Sequence, residues 1–174
     1  INPPTGNGAP ATITGVRLPR EDGSVMDVSG WLESTGAYYL YNPAFKWRIR
    51  NAATSGYPDA NTYAFRMDID WGDSDPAEVS AGVNVDIVQR YYKAVHGINS
   101  YDDAGTLADA YVHYGDNLVN AYWNGEAMLI GDGDGVGADN LGVLDVFSHE
   151  YTHAVTEHAC HMTYAYESGA LNES

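Results

Sequence analysis

The hydrophobic pattern of the chain changes character near Asp75. Before that residue the apolar stretches are short, are interrupted by Gly, Pro and Asn, and in several cases alternate with polar residues. These stretches are ATITGVRL, GWLESTGAYYLYN, FKWRIRN and TYAFRMDID. Alternation with a period of two is typical of half-buried strands. The region from Ile1 to Asp75 is therefore predicted to form a twisted antiparallel sheet.

A long helix is predicted after this sheet. Its apolar residues recur at every fourth position, on one stripe of the kind that faces a core. The stripe consists of Val79, Val83, Ile87, Tyr91 and Val95. Pro76 stands near the predicted start and Gly97 just past the predicted end, where these two residue types are favoured.

The rest of the chain predicts two strands, a second helix and the start of a third. The strands flank the turn WNGE, because Asn-Gly is a strong hairpin signal. The second helix is predicted to begin between Asp139 and Gly142 and to run to about Tyr164. After it, ESGALNES indicates a loop and the first turn of a third helix, with Ser168 as its cap. No repeat or linker divides the 174 residues, so one domain is expected.

Composition narrows the classes of partner. Twenty-four acidic and eight basic side chains give a formal net charge of −16, which disfavours nucleic acid and anionic membranes. The same charge is compatible with calcium binding and with solubility alone. No apolar run is long enough to cross a bilayer, and INPPTGNGAP lacks the order of a signal peptide. The single cysteine, Cys160, lies in a predicted helix, and its side chain is expected to be packed rather than reactive.

Four histidines and two glutamates are concentrated in the second predicted helix, in DVFSHEYTHAVTEHACH. His149 and His153 are four residues apart, so one helical face presents both imidazoles to a common point. Glu150 lies beside them but is angled away. In this arrangement two histidines bind zinc, and the glutamate takes a proton from a water that the metal activates. Because HExxH also arises by chance, the motif needs further support.

A zinc site of this kind needs a third protein ligand, which the same helix cannot supply. Glu157 continues the stripe of His149 and His153, but at ~1.5 Å rise per residue it lies ~12 Å along the axis from His149. Zinc ligands sit at ~2 Å from the metal. His158 points away from the stripe and His161 lies farther along the axis, so both are interpreted as helix-end or surface residues. The third ligand must come from elsewhere in the chain.

The segment after the helix contains Asn172 and Glu173, and Glu173 follows His153 by twenty residues. HEYTHAVTEHACHMTYAYESGALNES resembles the thermolysin-like zinc endopeptidases, which carry HExxH, then a tyrosine, then a Gly-Ala/x-Asn-Glu segment at this spacing. NAYWNGEAMLIGDGDG resembles the edge strand and following loop of that family, and YYKAVHGINSYDD resembles the end of its first long helix. The likeness extends from about Val79 to Ser174, whereas the earlier part matches only in its strand-rich character.

The resemblance implies roles for residues around the metal. His149, His153 and Glu173 would bind zinc and leave its fourth position to water. Glu150 would polarise that water and later pass its proton to the leaving amine. Tyr164 would help to stabilise the oxyanion.

The resemblance also implies roles outside the metal ligands. Asn120 and the backbone of Ala121 would pair with the main chain of a peptide substrate. Asn172 would orient His153 by a hydrogen bond. Asp145 matches a calcium ligand of the family, although the other ligands of that site would lie beyond Ser174.

The implied fold class is α+β and zincin-like: a twisted antiparallel β-rich N-terminal subdomain with a long helix and the HExxH-bearing helix. Residues 1–174 would be that subdomain, ending in the first turn of the helix with the third zinc ligand. The C-terminal helical subdomain would be absent, or present as a separate chain. The implied function is a secreted zinc endopeptidase that acts on peptides or proteins, with calcium expected in the complete enzyme. Two alternatives stay open: a zinc-binding fragment with little activity alone, and a calcium-binding structural domain.

Overall fold

The computed structural model describes residues 7–16, 25–52, 62–136, 140–162 and 166–173. Within them the strands are β1 (Ala9–Val16), β2 (Val25–Leu32), β3 (Tyr38–Tyr39), β4 (Tyr41–Asn42), β5 (Trp47–Asn51), β6 (Phe65–Arg66), β7 (Ala108–Val112), β8 (Ala121–Trp123) and β9 (Ala127–Ile130). The helices are α1 (Pro76–Tyr91), which continues as a π-helical turn (Tyr92–His96), α2 (Leu144–Cys160) and α3 (Tyr166–Asn172). The predicted α+β class is confirmed. No described helix has the length and apolar character needed to cross a membrane.

The strands form two sheets. The first has the order β1-β2-β3-β6, and each of its neighbouring pairs is antiparallel. The second has the order β4-β5-β7-β9-β8, in which β4 and β8 are antiparallel to their neighbours and β5, β7 and β9 are parallel. The strands before Asp75 thus pair antiparallel with one another, as predicted. Strand β7 is absent from the sequence prediction because it is buried on both faces and lacks the polar alternation of a half-buried strand.

Helix α1 lies against both sheets and α2, and its first half is buried on nearly every side. Val79 and Val85 are fully buried, and so are the polar side chains of Ser80 and Asn84. The predicted start at Pro76 is confirmed. Such all-round burial explains why the helix carries small and apolar residues here rather than a polar outer face.

The second half of α1 departs from the predicted core stripe. Ile87, Tyr91 and Val95 are 42%, 53% and 60% exposed, so the single stripe faces the core only over its first two residues. Val88 and Gln89 in the same turns stay buried. A repeat of four residues advances about 40° per step around a helix of 3.6 residues per turn, so the stripe drifts off the face that contacts the core. Gly97 directly follows the π-helical turn at φ 74°, and this left-handed end agrees with the prediction.

Helix α2 begins later than predicted, at Leu144. The N–H of Gly142 donates to the side-chain oxygen of Asn140 at 2.8 Å, which holds this stretch in a turn. Val143 is extended and serves as the N-cap residue. The segment is also attached to α1, because the amide of Asn84 donates to the carbonyl of Gly142 at 2.6 Å. These contacts set where the HExxH helix starts.

The ends of α2 and α3 also differ from the prediction. Helix α2 ends at Cys160, because His161 adopts a left-handed conformation at φ 49° and terminates the helix. The predicted end, Tyr164, lies outside the described residues. Cys160 is exposed, so the prediction that it packs is wrong. Ser168 is not a cap, since α3 begins two residues earlier at Tyr166 and its chain is already helical at Ser168.

A histidine between two aspartates joins the elements that position α2. The Nδ1 atom of His113, just after β7, lies 2.8 Å from both carboxylate oxygens of Asp132, and its Nε2 lies 3.1 Å from both of Asp75. Asp75 is the N-cap of α1 and accepts from the N–H of Glu78 at 3.1 Å. Asp132 also accepts from the amide of Asn140 at 2.6 Å. The cluster ties the start of α1, the end of β7 and the loop before α2 together.

Replacing His113 with alanine is expected to lower the free energy of unfolding by about 2 kcal/mol near pH 6. The hydrogen bonds to Asp132 and then to Asp75 raise the pKa of His113 to about 10. Because the pKa in the unfolded chain is about 6.5, the contribution is complete below that pH and is lost as the pH rises to about 10. Urea denaturation of both proteins across this range measures the difference.

The matched control is His96→Ala. His96 is exposed, and its described contacts are with the rings of Tyr91 and Tyr92. Its loss should change the unfolding free energy little. A pH-independent loss for His113→Ala would show that the charge of His113 does not stabilise the cluster.

Candidate metal centre

Three side chains from the end of the chain bring potential ligand atoms together. The Nε2 atoms of His149 and His153 are 2.9 Å apart. The Oε2 atom of Glu173 lies 3.2 Å from the first and 3.7 Å from the second. Among the described residues, these three form the one group of three His, Cys, Asp or Glu side chains that could hold a metal ion.

Helix geometry brings the three residues to one point. His149 and His153 stand on successive turns of α2, with ring centroids 4.4 Å apart. Buried residues on the opposite side of α2, including Phe147 and Tyr151, fix that helix against the core. Glu173 directly follows α3, and its N–H donates to the carbonyl of Ala170 at 3.3 Å. The third donor thus comes from a helix that packs back toward the first two.

The spacing of the three atoms suits one zinc ion. Zinc in proteins is mostly tetrahedral with ligands at about 2.1 Å, so two of its ligand atoms lie roughly 3.4 Å apart. The separations of 2.9, 3.2 and 3.7 Å fall on both sides of that value. Two imidazole nitrogens and one carboxylate oxygen are also a donor set of catalytic zinc sites, which keep a fourth position open. The residues present therefore fit zinc.

Asn172 contacts the centre through His153. Its Oδ1 atom lies 2.8 Å from Nδ1 of His153. An amide oxygen only accepts, so Nδ1 carries the proton and donates, which leaves the lone pair on Nε2. That nitrogen is the one facing Glu173, and a hydrogen bond of this kind favours the tautomer that binds metal.

Glu150 lies beside the three donors but is not one of them. It is 6% exposed, and its Oε2 accepts a hydrogen bond from the backbone N–H of Trp123 at 2.9 Å. Burial raises the pKa of Glu150, while the Trp123 N–H and the charges of His153 and His149 oppose that rise. A buried carboxylate within reach of a reacting water is a suitable proton acceptor.

The three donors and Glu150 face an open cleft of about 650 Å³. One wall is β8 with the residues that flank it, and β8 is the last strand of its sheet. Asn120 and Ala121 line this wall, as do the hairpin residues Asn124 and Gly125. The predicted substrate-contacting residues and the predicted metal ligands therefore border the same space.

Close backbone packing holds the β8 wall in place. The N–H of Gly131 donates to the carbonyl of Asn120 at 3.0 Å, and its carbonyl accepts from the N–H of Leu141 at 3.1 Å. A side chain at Gly131 would collide with the carbonyl oxygens of Leu118 and Asn120. Glycine is therefore required where the wall meets the loop that leads to α2.

The other residues singled out from the sequence have different positions. Asp145 is exposed, one turn before His149. Tyr164 lies outside the described residues. His158 is exposed with its Nδ1 atom 2.8 Å from the carbonyl of Ala154. It takes no part in the group of three donors.

The sequence analysis does not predict that Glu150 and Glu157 accept hydrogen bonds from the same residue. Trp123 donates its backbone N–H to Glu150 and its indole N–H to Oε2 of Glu157, the latter at 2.6 Å. The sequence contains a signal for this pair, because Glu150 and Glu157 are seven residues apart and share one face of a helix. The partner on β8 could not be read from spacing, since Trp123 precedes Glu157 by thirty-four residues.

An α+β fold in which an HExxH helix and a following helix bring two histidines and a glutamate together is zincin-like. The family can be stated more narrowly. A family model of the thermolysin metallopeptidase catalytic domain matches residues 24–157. The chain belongs to this family, and the resemblance drawn from its sequence is confirmed.

Individual relatives agree with the family. Bacillolysin from Bacillus cereus is 50% identical over 101 residues, which are 58% of this chain and 18% of that protein. Thermolysin from Alicyclobacillus acidocaldarius subsp. acidocaldarius is 46% identical over 101 residues, with the same two shares. The solved precursor of protealysin, a metalloproteinase from Serratia proteamaculans, superposes with a TM-score of 0.65 at 30% identity, covering 73% of this chain and 39% of that one. The chain spans about a fifth of the length of the curated relatives it matches.

Proposed function

We propose that this chain is the zinc-binding part of a zinc-dependent endopeptidase, and that His149, His153 and Glu173 hold the metal. The observation that carries the proposal is the approach of three suitable donor atoms to within 4.8 Å of one another. Glu150 adds to it, because its buried carboxylate lies at the same cleft without joining the donor group. Zinc, when bound, lowers the pKa of a coordinated water and polarises the carbonyl of the substrate.

Residues of this chain supply the other parts of the proposed mechanism. Glu150 accepts a proton from the attacking water and then delivers it to the amine that leaves. The N–H of Trp123 holds the Oε2 atom of that carboxylate in place. Asn172 keeps His153 in the tautomer whose Nε2 lone pair faces the other donors. The family resemblance supports a further role for Tyr164 in stabilising the oxyanion.

The proposed substrate is a peptide or protein segment in extended conformation. Strand β8 is the last strand of its sheet and borders the cleft, so a peptide can pair with its backbone. Asn120 and Ala121 would supply these contacts. Main-chain pairing at a strand edge accepts many sequences, which suits an endopeptidase.

The proposal includes three further points from the resemblance. Residues 1–174 would form the N-terminal subdomain of the peptidase domain. Asp145 would contribute to a calcium site in the complete enzyme. An extracellular location belongs to the same proposal. The second candidate function is a zinc-binding fragment that has little or no hydrolytic activity alone, and the same group of three donors supports it.

The test loads purified chain with one equivalent of zinc and follows an internally quenched peptide substrate. Turnover that is removed by a chelator and restored by zinc is expected for the endopeptidase. Tight zinc binding without turnover would favour the zinc-binding fragment. Calcium bound while His149 and His153 stay free in their NMR titration would contradict both and support a calcium-binding structural domain.

A further inference from the structure

Helix α2 holds Trp123 at two points. Glu150 accepts from the backbone N–H of Trp123 at 2.9 Å, and Glu157 accepts from its indole N–H at 2.6 Å. The two carboxylates are seven residues apart, which is about two helical turns, so they project from the same face of α2. One helix therefore contacts both the main chain and the side-chain end of the same residue.

Backbone pairing and side-chain contacts both position Trp123 on strand β8. The strand has three residues, and its one ladder in the described sheet is with β9. Trp123 is the last of the three, and the exposed turn at Asn124 and Gly125 follows. The N–H of Asn124 donates to the carbonyl of Ala127 at 3.1 Å and closes that turn. Because β8 is short and lies at the edge of its sheet, contacts of the Trp123 side chain add to the ladder in fixing the Trp123 N–H.

The indole ring packs against the edge of the core, and two contacts fix its position there. The buried ring of Tyr101 lies with its centroid 5.0 Å from that of Trp123, and Glu157 holds the N–H at the ring edge. Tyr101 limits movement of the ring toward the core, and Glu157 sets its rotation. Loss of Glu157 would allow the indole ring to rotate. This rotation would loosen the backbone N–H of Trp123, which donates a hydrogen bond to Glu150.

We propose that Glu157 is a positioning residue that fixes the Glu150 carboxylate by holding Trp123, an inference that rests on the proposed function. Glu157 lines the same cleft, but it lies outside the group of three donors and its carboxylate accepts from the Trp123 indole. It acts on Glu150 indirectly, through its hydrogen bond to Trp123. A displacement of about 1 Å in a reacting group is enough to slow an enzyme substantially.

The test compares Glu157→Ala with the conservative variant Glu157→Gln, which keeps an oxygen acceptor for the indole. In zinc-loaded protein, Glu157→Ala should lower kcat about tenfold, with KM and zinc affinity within about twofold of the parent. Glu157→Gln should recover most of the lost kcat. In a Trp123→Phe background, which lacks the indole N–H, Glu157→Ala should have no further effect.

A second readout does not require turnover. Hydrogen exchange of the Trp123 amide, followed by NMR without substrate, should accelerate at least about tenfold in Glu157→Ala and remain near the parent rate in Glu157→Gln. Unchanged exchange overturns the proposal whether or not the protein is active. Unchanged kcat in an active protein also overturns it and leaves the endopeptidase function intact. If the parent binds zinc but shows no turnover, the zinc-binding fragment is favoured over the endopeptidase, and the exchange rates alone decide the role of Glu157.

Discussion

Replacing Glu150 with glutamine is expected to lower peptide hydrolysis about a thousandfold while zinc affinity changes little. Glutamine has nearly the same shape and can still accept the Trp123 N–H through its amide oxygen, but it cannot take a proton from water. Glu150 is outside the three-donor group, so its loss leaves the metal ligands in place. Single-turnover rates and zinc titration, measured on the same preparations, check both parts.

The control for this substitution is Glu167→Gln. Glu167 is an exposed carboxylate in the first turn of α3, and its neutralisation should leave hydrolysis unchanged. If Glu150→Gln kept more than about a tenth of the parent rate, general-base catalysis by Glu150 would be excluded, because that contribution is commonly 10²- to 10⁴-fold.

Replacing Glu173 with alanine is expected to weaken zinc binding by more than 100-fold, which exceeds the usual effect of losing a hydrogen-bond partner of a ligand. The substitution leaves two imidazoles, fewer than the three protein ligands of a catalytic zinc site. Competition with a chromogenic chelator at fixed pH measures the affinity. Hydrolysis should decline in parallel unless the assay contains enough zinc to saturate the weakened site.

Two further variants make this result specific. Asn172→Ala removes the Oδ1 acceptor of His153 and should weaken zinc binding by roughly tenfold, between the parent and Glu173→Ala. His158→Ala removes an exposed histidine of the same helix and should have no effect on zinc affinity. A Glu173→Ala protein that bound zinc as tightly as the His158 variant would remove Glu173 from the ligand set.

Local patterns predicted the parts of this fold that depend on neighbouring residues. The antiparallel pairing before Asp75 and the start of α1 at Pro76 follow from alternation and from proline at a helix start. The pairing of His149 with His153 likewise needs only the helical repeat. The approach of Glu173 to the histidines does not follow from a local pattern, because it depends on the turn between α2 and α3. Only the family resemblance indicated Glu173 as the third ligand.

Contacts between distant segments were beyond local patterns. The His113 cluster joins residues separated by nineteen and thirty-eight positions, and no periodicity marks such a pair. Strand β7 lacks polar alternation because other elements cover both of its faces. The exposed end of α1 has a different cause. Tyr91 and Val95 continue a four-residue repeat that drifts around the helix, while Val88 occupies the buried face.

The separation of twenty positions between His153 and Glu173 gives the metal a second effect. A zinc ion bound by both residues would close a loop of that length, and loop closure reduces the conformational freedom of the segment between its ends. The seven-residue helix α3 is too short to be stable by itself in water. Metal affinity and the ordering of α3 are therefore one coupled equilibrium, so any residue that favours helix between Tyr166 and Asn172 would tighten zinc binding without touching the ion.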